Sequence, residues 1–87
     1  MGNGEFSGQV VVVTGASAGI GRATVRAFAD RGADLGLLAR GRTGLEAAQR
    51  EVEARGGRAV VAPTDVSDAD AVEAAAERIE AELGPID

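Results

Sequence analysis

The sequence contains no cysteine, no histidine and no tyrosine, and all nine of its basic residues are arginine, so lysine is absent as well. Without cysteine there are no disulfides, thiolate metal sites or cysteine nucleophiles. Without histidine, the commonest general base and the commonest transition-metal ligand are both missing, so no metal-binding set is expected. Acid–base chemistry within these residues falls to carboxylates or to serine and threonine hydroxyls. Positive charge is also in deficit: the formal net charge is −5 and the pI about 4.6. Such a chain repels a phosphate backbone, which argues against nucleic acid as a partner. No apolar run approaches the length of a membrane span, so no membrane partner is expected. The opening Met1-Gly2-Asn3-Gly4-Glu5-Phe6 lacks the basic flank and apolar stretch of a signal peptide. Phe6 also stands where myristoylation calls for Ser or Thr. A cytoplasmic location is the expectation.

What remains is ordinary globular composition: 87 residues, 45% hydrophobic and 26% charged. That is enough for one domain with a small core. A polar, Gly-rich lead over residues 1–8 precedes an alternation of strand-like and helix-like segments. Gln9–Thr14 carries four consecutive valines, Val10 to Val13, a β-branched run suited to a strand covered on both faces. Ile20–Arg31 places Ile20, Ala23, Thr24, Ala27 and Phe28 at helical spacing, with Gly32 as its stop. Asp34–Ala39 is a second short apolar run. Thr43-Gly44-Leu45-Glu46 reads as a capping box opening a helix that continues to Arg55 and closes at Gly56-Gly57. Ala59–Ala62 is a third strand. Ser67, with Asp70 three positions on, reads as the cap of a helix in which Val72, Ala76, Ile79 and Leu83 share a face, and Gly84-Pro85 ends it. This β-α-β-α-β-α order predicts an α/β, Rossmann-type doubly wound parallel sheet. The expected strand order is 3-2-1, with two helices on one face and the third on the other. Three strands alone leave the Val10–Val13 strand with an unpaired apolar edge. The pattern therefore reads as truncated, with residues 9–87 the N-terminal part of an incomplete domain of this Rossmann type.

The most informative stretch is Thr14-Gly15-Ala16-Ser17-Ala18-Gly19-Ile20-Gly21, between the first strand and the first helix. Gly15 lets the chain turn sharply out of the strand. Gly19, without a Cβ, lets the backbone approach a pyrophosphate at the helix N-terminus, where unpaired amides and the positive dipole end favour anions. Gly21 lets the helix pack closely. The spacing Gly-x-x-x-Gly-x-Gly is one residue longer at its first gap than the usual dinucleotide fingerprint. A bare strand-to-helix turn needs fewer glycines.

This segment resembles the cofactor turn of the short-chain dehydrogenases/reductases. Gly32-Ala33-Asp34, Leu38-Ala39-Arg40, Asp65-Val66-Ser67-Asp68 and Gly84-Pro85-Ile86-Asp87 also fall where that family has similar segments. The resemblance extends over nearly the whole chain but only about the first third of a typical family domain. It implies that Gly15, Gly19 and Gly21 line a pyrophosphate, with Ile20 contributing backbone near the nicotinamide. It implies that Asp65 accepts a hydrogen bond from the adenine amino group, with Val66 packed beside the ring. The plain alternative for Asp65 is a turn residue ahead of the Ser67 cap.

Cofactor choice in this family is set at the end of the second strand, where NAD-preferring members carry an acidic residue. Here that position is Ala39, followed by Arg40 and then Arg42. Arg40 lies nineteen residues after Gly21, the distance at which the discrimination normally occurs. A guanidinium forks two donors onto phosphate oxygens, and Ser17 can add a hydroxyl. The expectation is NADP(H) favoured over NAD(H). Arg22 is a weaker candidate, since its side chain can leave the first helical turn for solvent. The family's catalytic serine, tyrosine and lysine match nothing here: Ser7, Ser17 and Ser67 lie in the lead, the turn and a cap.

The resemblance thus implies the cofactor-binding part of an NADP(H)-dependent oxidoreductase acting on a small carbonyl or alcohol, the full-length protein being a homo-oligomer. The 87 residues alone are expected to be inactive. Two alternatives stand beside it: a non-catalytic nucleotide-binding module, and an interaction piece completed by another chain.

Overall fold

A computed structural model of the chain describes residues 5–17 and 19–87. Residues 1–4 of the expected lead and Ala18 of the glycine-rich turn lie outside the described residues. The element order is β1 (Val10–Thr14), α1 (Gly19–Asp30), β2 (Asp34–Ala39), α2 (Arg42–Ala54), β3 (Ala59–Pro63) and α3 (Ala69–Leu83). The sheet runs β1-β2-β3 and both pairings are parallel. Val10 lies opposite Asp34 and Thr14 opposite Leu38, while Leu35 lies opposite Ala59 and Ala39 opposite Pro63. All three strands therefore end together.

The run of valines is explained by two covered faces. Val11 and Val13 face α1 and α2, together with Leu35, Leu37, Ala59 and Val61 from the other strands. Val25 and Ala29 of α1 and Leu45, Ala48 and Val52 of α2 close that side. Val10 and Val12 face the other way, with Leu38, Val60 and Ala62, under Ala75 and Ile79 of α3. Period-2 alternation is present in the backbone, but both faces are apolar, so it does not appear in the sequence. Gly36 supplies the space for α3. A Cβ at that position would lie 2.4 Å from Ile79 Cδ1, and Ile79 is wholly buried.

Three local expectations are corrected. Thr43 does not cap α2: the helix starts at Arg42, its N-cap is Gly41, and no side chain caps it. Ser67 does not cap α3; Asp68 does, its side chain accepting from the Ala71 amide at 3.1 Å. A carboxylate at the helix N-terminus also meets the positive end of the dipole, which a hydroxyl does not. Ile20 is not part of the buried stripe of α1 but is 87% exposed; the stripe runs through Val25 and Ala29.

Beyond Leu83 the chain crosses to the free side of β1. The Asp87 amide donates to the Val10 carbonyl at 2.9 Å, and the Val10 amide donates to Asp87 Oδ2 at 2.8 Å. Among the described residues nothing else pairs with that edge of β1. No helix among them is long and apolar enough to cross a membrane.

Candidate nucleotide site at the carboxyl ends of the strands

Every residue singled out for cofactor contact follows the carboxyl end of one of the three adjacent strands. Gly15 and Ser17 follow β1, and Gly19, Ile20 and Gly21 open α1. Arg40 follows β2 and Arg42 opens α2, while Asp65 and Val66 follow β3. The topology brings them to one edge of the sheet, where ligands of doubly wound folds bind.

The glycine-rich turn owes its shape to specific steric demands. Gly15 and Gly19 have φ of +64° and +60°, the left-handed region, and no atom lies within 4 Å of a Cβ built on either. The space beside them is open. Gly21 is different: its φ is ordinary, but a Cβ there would lie 1.9 Å from the Gly15 carbonyl oxygen. Its contact is thus the turn itself, immediately beyond β1. The turn is tied sideways to β2 by the Ala16 amide, which donates to the Leu38 carbonyl at 3.2 Å, and Ala16 is fully buried. Gly44 in the first turn of α2 abuts Ser17, since a Cβ at Gly44 would lie 2.6 Å from Ser17 Cβ. The first amides of α1 have no partner within the helix, so the turn and the helix start form a cradle of donors.

Arg40 and Asp65 meet across the ends of β2 and β3. Arg40 Nη2 donates to Asp65 Oδ2 at 3.0 Å, and the Arg40 side chain is 78% exposed. Asp65 Oδ1 is held by the Ser67 amide at 3.0 Å and the Ser67 hydroxyl at 2.7 Å. The Ser67 hydrogen bonds, followed by Arg40, keep the Asp65 carboxyl below the usual carboxylate range. Asp65 is therefore a turn residue through Oδ1, while its Oδ2 pairs with Arg40. Arg42 goes elsewhere, lying 3.8 Å from Glu46 one turn along its own helix. Beside these polar groups stand the two exposed large hydrophobic residues of the described chain, Ile20 and Val66. Apolar side chains exposed beside polar groups suit a ligand with flat, apolar rings.

Arg22 does not run into solvent as the sequence suggested. Its guanidinium enters between α1 and α2, pairs with Glu51 and donates from Nη1 to the Ser17 carbonyl at 3.3 Å. Its Nε is buried without a hydrogen-bond partner. Arg26, one turn further along α1, reaches Glu51 Oε1 at 2.7 Å. The Arg26 and Arg22 hydrogen bonds together pull the Glu51 carboxyl down to about 2. The sequence signal for this clamp was two arginines four apart on α1, but their acceptor lies on another helix.

The short chain dehydrogenase family profile matches residues 9–87. The chain belongs to the short-chain dehydrogenase family. A short chain dehydrogenase of Pseudocercospora fijiensis is 42% identical over 84 residues, covering 97% of this chain and 27% of that protein. A metagenomic short-chain oxidoreductase solved in complex with NADP superimposes with a TM-score of 0.87 at 44% identity, covering 95% of this chain and 38% of that one. NAD+-bound xylitol dehydrogenase superimposes with a TM-score of 0.91 at 35% identity, over 95% of this chain and 32% of that one. The chain thus spans roughly a quarter to two-fifths of the length of these family members. Members of similar fold hold either dinucleotide, so the backbone alone does not choose between them.

Proposed function

We propose that residues 9–87 are the cofactor-binding part of an NADP(H)-dependent oxidoreductase that interconverts alcohols and carbonyl compounds by hydride transfer. The observation that carries this reading is the guanidinium of Arg40 at the carboxyl end of β2, in a stretch, Leu38 to Arg42, that holds no carboxylate. A carboxylate there would repel a 2′-phosphate, whereas a guanidinium binds one in two-point fashion.

The cradle fits a dinucleotide. The open space at Gly15 and Gly19 admits a pyrophosphate against backbone amides. Ser17, half-buried in the turn, offers a hydroxyl toward the ribose phosphate, with Arg42 the outermost cation of the group. Asp65 Oδ2 accepts from the adenine amino group, and Val66 covers the ring. Ile20 and Gly21 present backbone toward the nicotinamide side. When bound, the cofactor supplies or accepts the hydride. The 87 residues contain no Tyr, Lys or His, so the proton at the substrate hydroxyl is moved by groups outside them. The edge of β1, which among the described residues is met only by Asp87 at Val10, has room for a further strand. We place the protein in the cytoplasm, as a homo-oligomer when its full domain is present.

Fluorescence titration with NADPH and NADH tests the reading. NADPH is expected to bind at least about tenfold more tightly, the contribution of one charge-assisted hydrogen bond. Equal affinities would remove Arg40 from the site. Assayed alone against a panel of ketones and aldehydes, the 87 residues should show no turnover. Turnover abolished by Gly19→Asp would overturn the division of labour.

A further inference from the structure

The pairing of Arg40 with Asp65 has consequences for what the site selects. Asp65 Oδ1 is fixed by two bonds from Ser67, so the carboxylate cannot rotate freely, and its second oxygen is aimed at Arg40. The guanidinium meets it through one nitrogen only, at 3.0 Å, with most of the side chain in solvent. Exposed single-contact pairs of this kind are weak and easily exchanged. Each partner is the group that the proposed reading gives to a different piece of the cofactor, and the inference rests on that reading.

We infer that Asp65 determines specificity by occupying Arg40 until one ligand satisfies both residues. A bare phosphate that takes Arg40 leaves Asp65 Oδ2 without its cation. A nucleoside without a 2′-phosphate that donates to Asp65 leaves the guanidinium with a shared acceptor. A 2′-phosphorylated adenine nucleotide replaces the ion pair with two contacts at once: phosphate on Arg40, and amino donor on Asp65. The intramolecular pair is broken once in each case, so a half-ligand bears its full cost for one contact and the whole nucleotide bears it once for two. It couples the two subsites, and by linkage the coupling is reciprocal.

Calorimetric titration of the protein with inorganic phosphate, adenosine and 2′-AMP tests this. In the unaltered protein, saturating adenosine should raise phosphate affinity several-fold. Asp65→Asn keeps an oxygen for Ser67 and removes the charge that holds Arg40. It should raise affinity for inorganic phosphate several-fold and change that for 2′-AMP much less. Combined with Arg40→Ala, the gain from Asp65→Asn should disappear, which separates release of the guanidinium from the general loss of a nearby negative charge. The coupling by adenosine needs no substitution, so it stands even where the variant folds poorly. Phosphate affinity unchanged by both adenosine and Asp65→Asn, with Arg40→Ala still weakening 2′-AMP, overturns the inference and leaves the proposed function intact. Binding of 2′-AMP indifferent to Arg40→Ala overturns the cofactor reading itself, and the inference with it.

Discussion

The two ends of the sheet are built to different standards. At the amino end, where the helices finish, opposite charges are saturated. Asp34 at the start of β2 accepts from the Arg58 amide at 3.1 Å and from its guanidinium at 3.2 and 2.7 Å. Arg55 closing α2 pairs with Asp30 at the end of α1 at 2.7 Å, and Arg31 pairs with Glu5 at 3.1 Å. Phe6 covers Phe28, their ring centroids 5.2 Å apart. At the carboxyl end, Ile20 and Val66 stand exposed, Arg40 has one bond, and Arg42 reaches only a distant glutamate. Satisfied groups give stability, while loosely held groups and open glycines leave room for a ligand. The same strands carry both ends, so stability and binding can be perturbed separately.

The largest effect is expected where the two requirements coincide, at Gly21. An alanine there places its Cβ 1.9 Å from the Gly15 carbonyl oxygen, a backbone atom that cannot step aside. Gly21→Ala should destabilise the fold by roughly 3 kcal/mol or more, the upper range for overpacking, and should abolish nucleotide binding. Thermal unfolding and NADPH titration measure both. A variant with unchanged Tm would show that the turn is looser than this contact requires.

Next comes Arg40→Ala, which touches only the carboxyl end. Affinity for NADPH should fall about tenfold or more and that for NADH little, with Tm unaffected because the side chain is exposed. Equal losses for both cofactors would place the 2′-phosphate elsewhere.

How much of this was legible in advance follows from the range of the interactions. Strand order, helix placement and the clustering of Gly15, Gly19, Gly21, Arg40 and Asp65 at one edge follow from periodicity and connection length, which are local patterns. Thr43 and Ser67 satisfy a capping motif by spacing alone, while Asp68, a better cap by charge, stands next to Ser67. Ile20 fits the helical period, yet it sits in the first turn, ahead of the point where α1 meets the sheet. The Arg22–Glu51–Arg26 clamp and the Arg40–Asp65 pair span 29, 25 and 25 residues. Only the relative placement of elements could reveal them. The place that Gly36 leaves for Ile79 of α3 is likewise set by packing between distant elements.

A substitution at the amino end sharpens the comparison from the other side. Asp34→Ala removes three hydrogen bonds to Arg58, one of them from backbone. With Arg58 largely exposed, the expected loss is about 1 kcal/mol, or roughly 4–8 °C in Tm for a domain of this size. Affinities for NADPH and NADH should not change. A shift in either would mean that the two ends are mechanically coupled through β2.

The smallest effect tests the contact that joins α1, α2 and the glycine-rich turn. Glu51 is held at about 2 against an ordinary value of 4.5, because its charged form takes hydrogen bonds from Arg26 and Arg22. A depressed carboxyl contributes stability that is complete above its unfolded value and is lost as the pH falls toward the folded one. The contribution of Glu51 should therefore be full above about pH 4.5 and fade between there and about pH 2. Glu51→Gln keeps the shape and removes the titration. Its Tm should lie a few degrees below that of the unaltered protein near neutrality, and the two curves should converge through the acid window. Other carboxylates titrate in both proteins and cancel in the difference. Because Arg22 also donates to the Ser17 carbonyl, the variant should weaken NADPH slightly at neutral pH. A difference in Tm that stays constant from neutrality to pH 2 would show that the clamp stabilises through packing of the two arginine stems and not through charge.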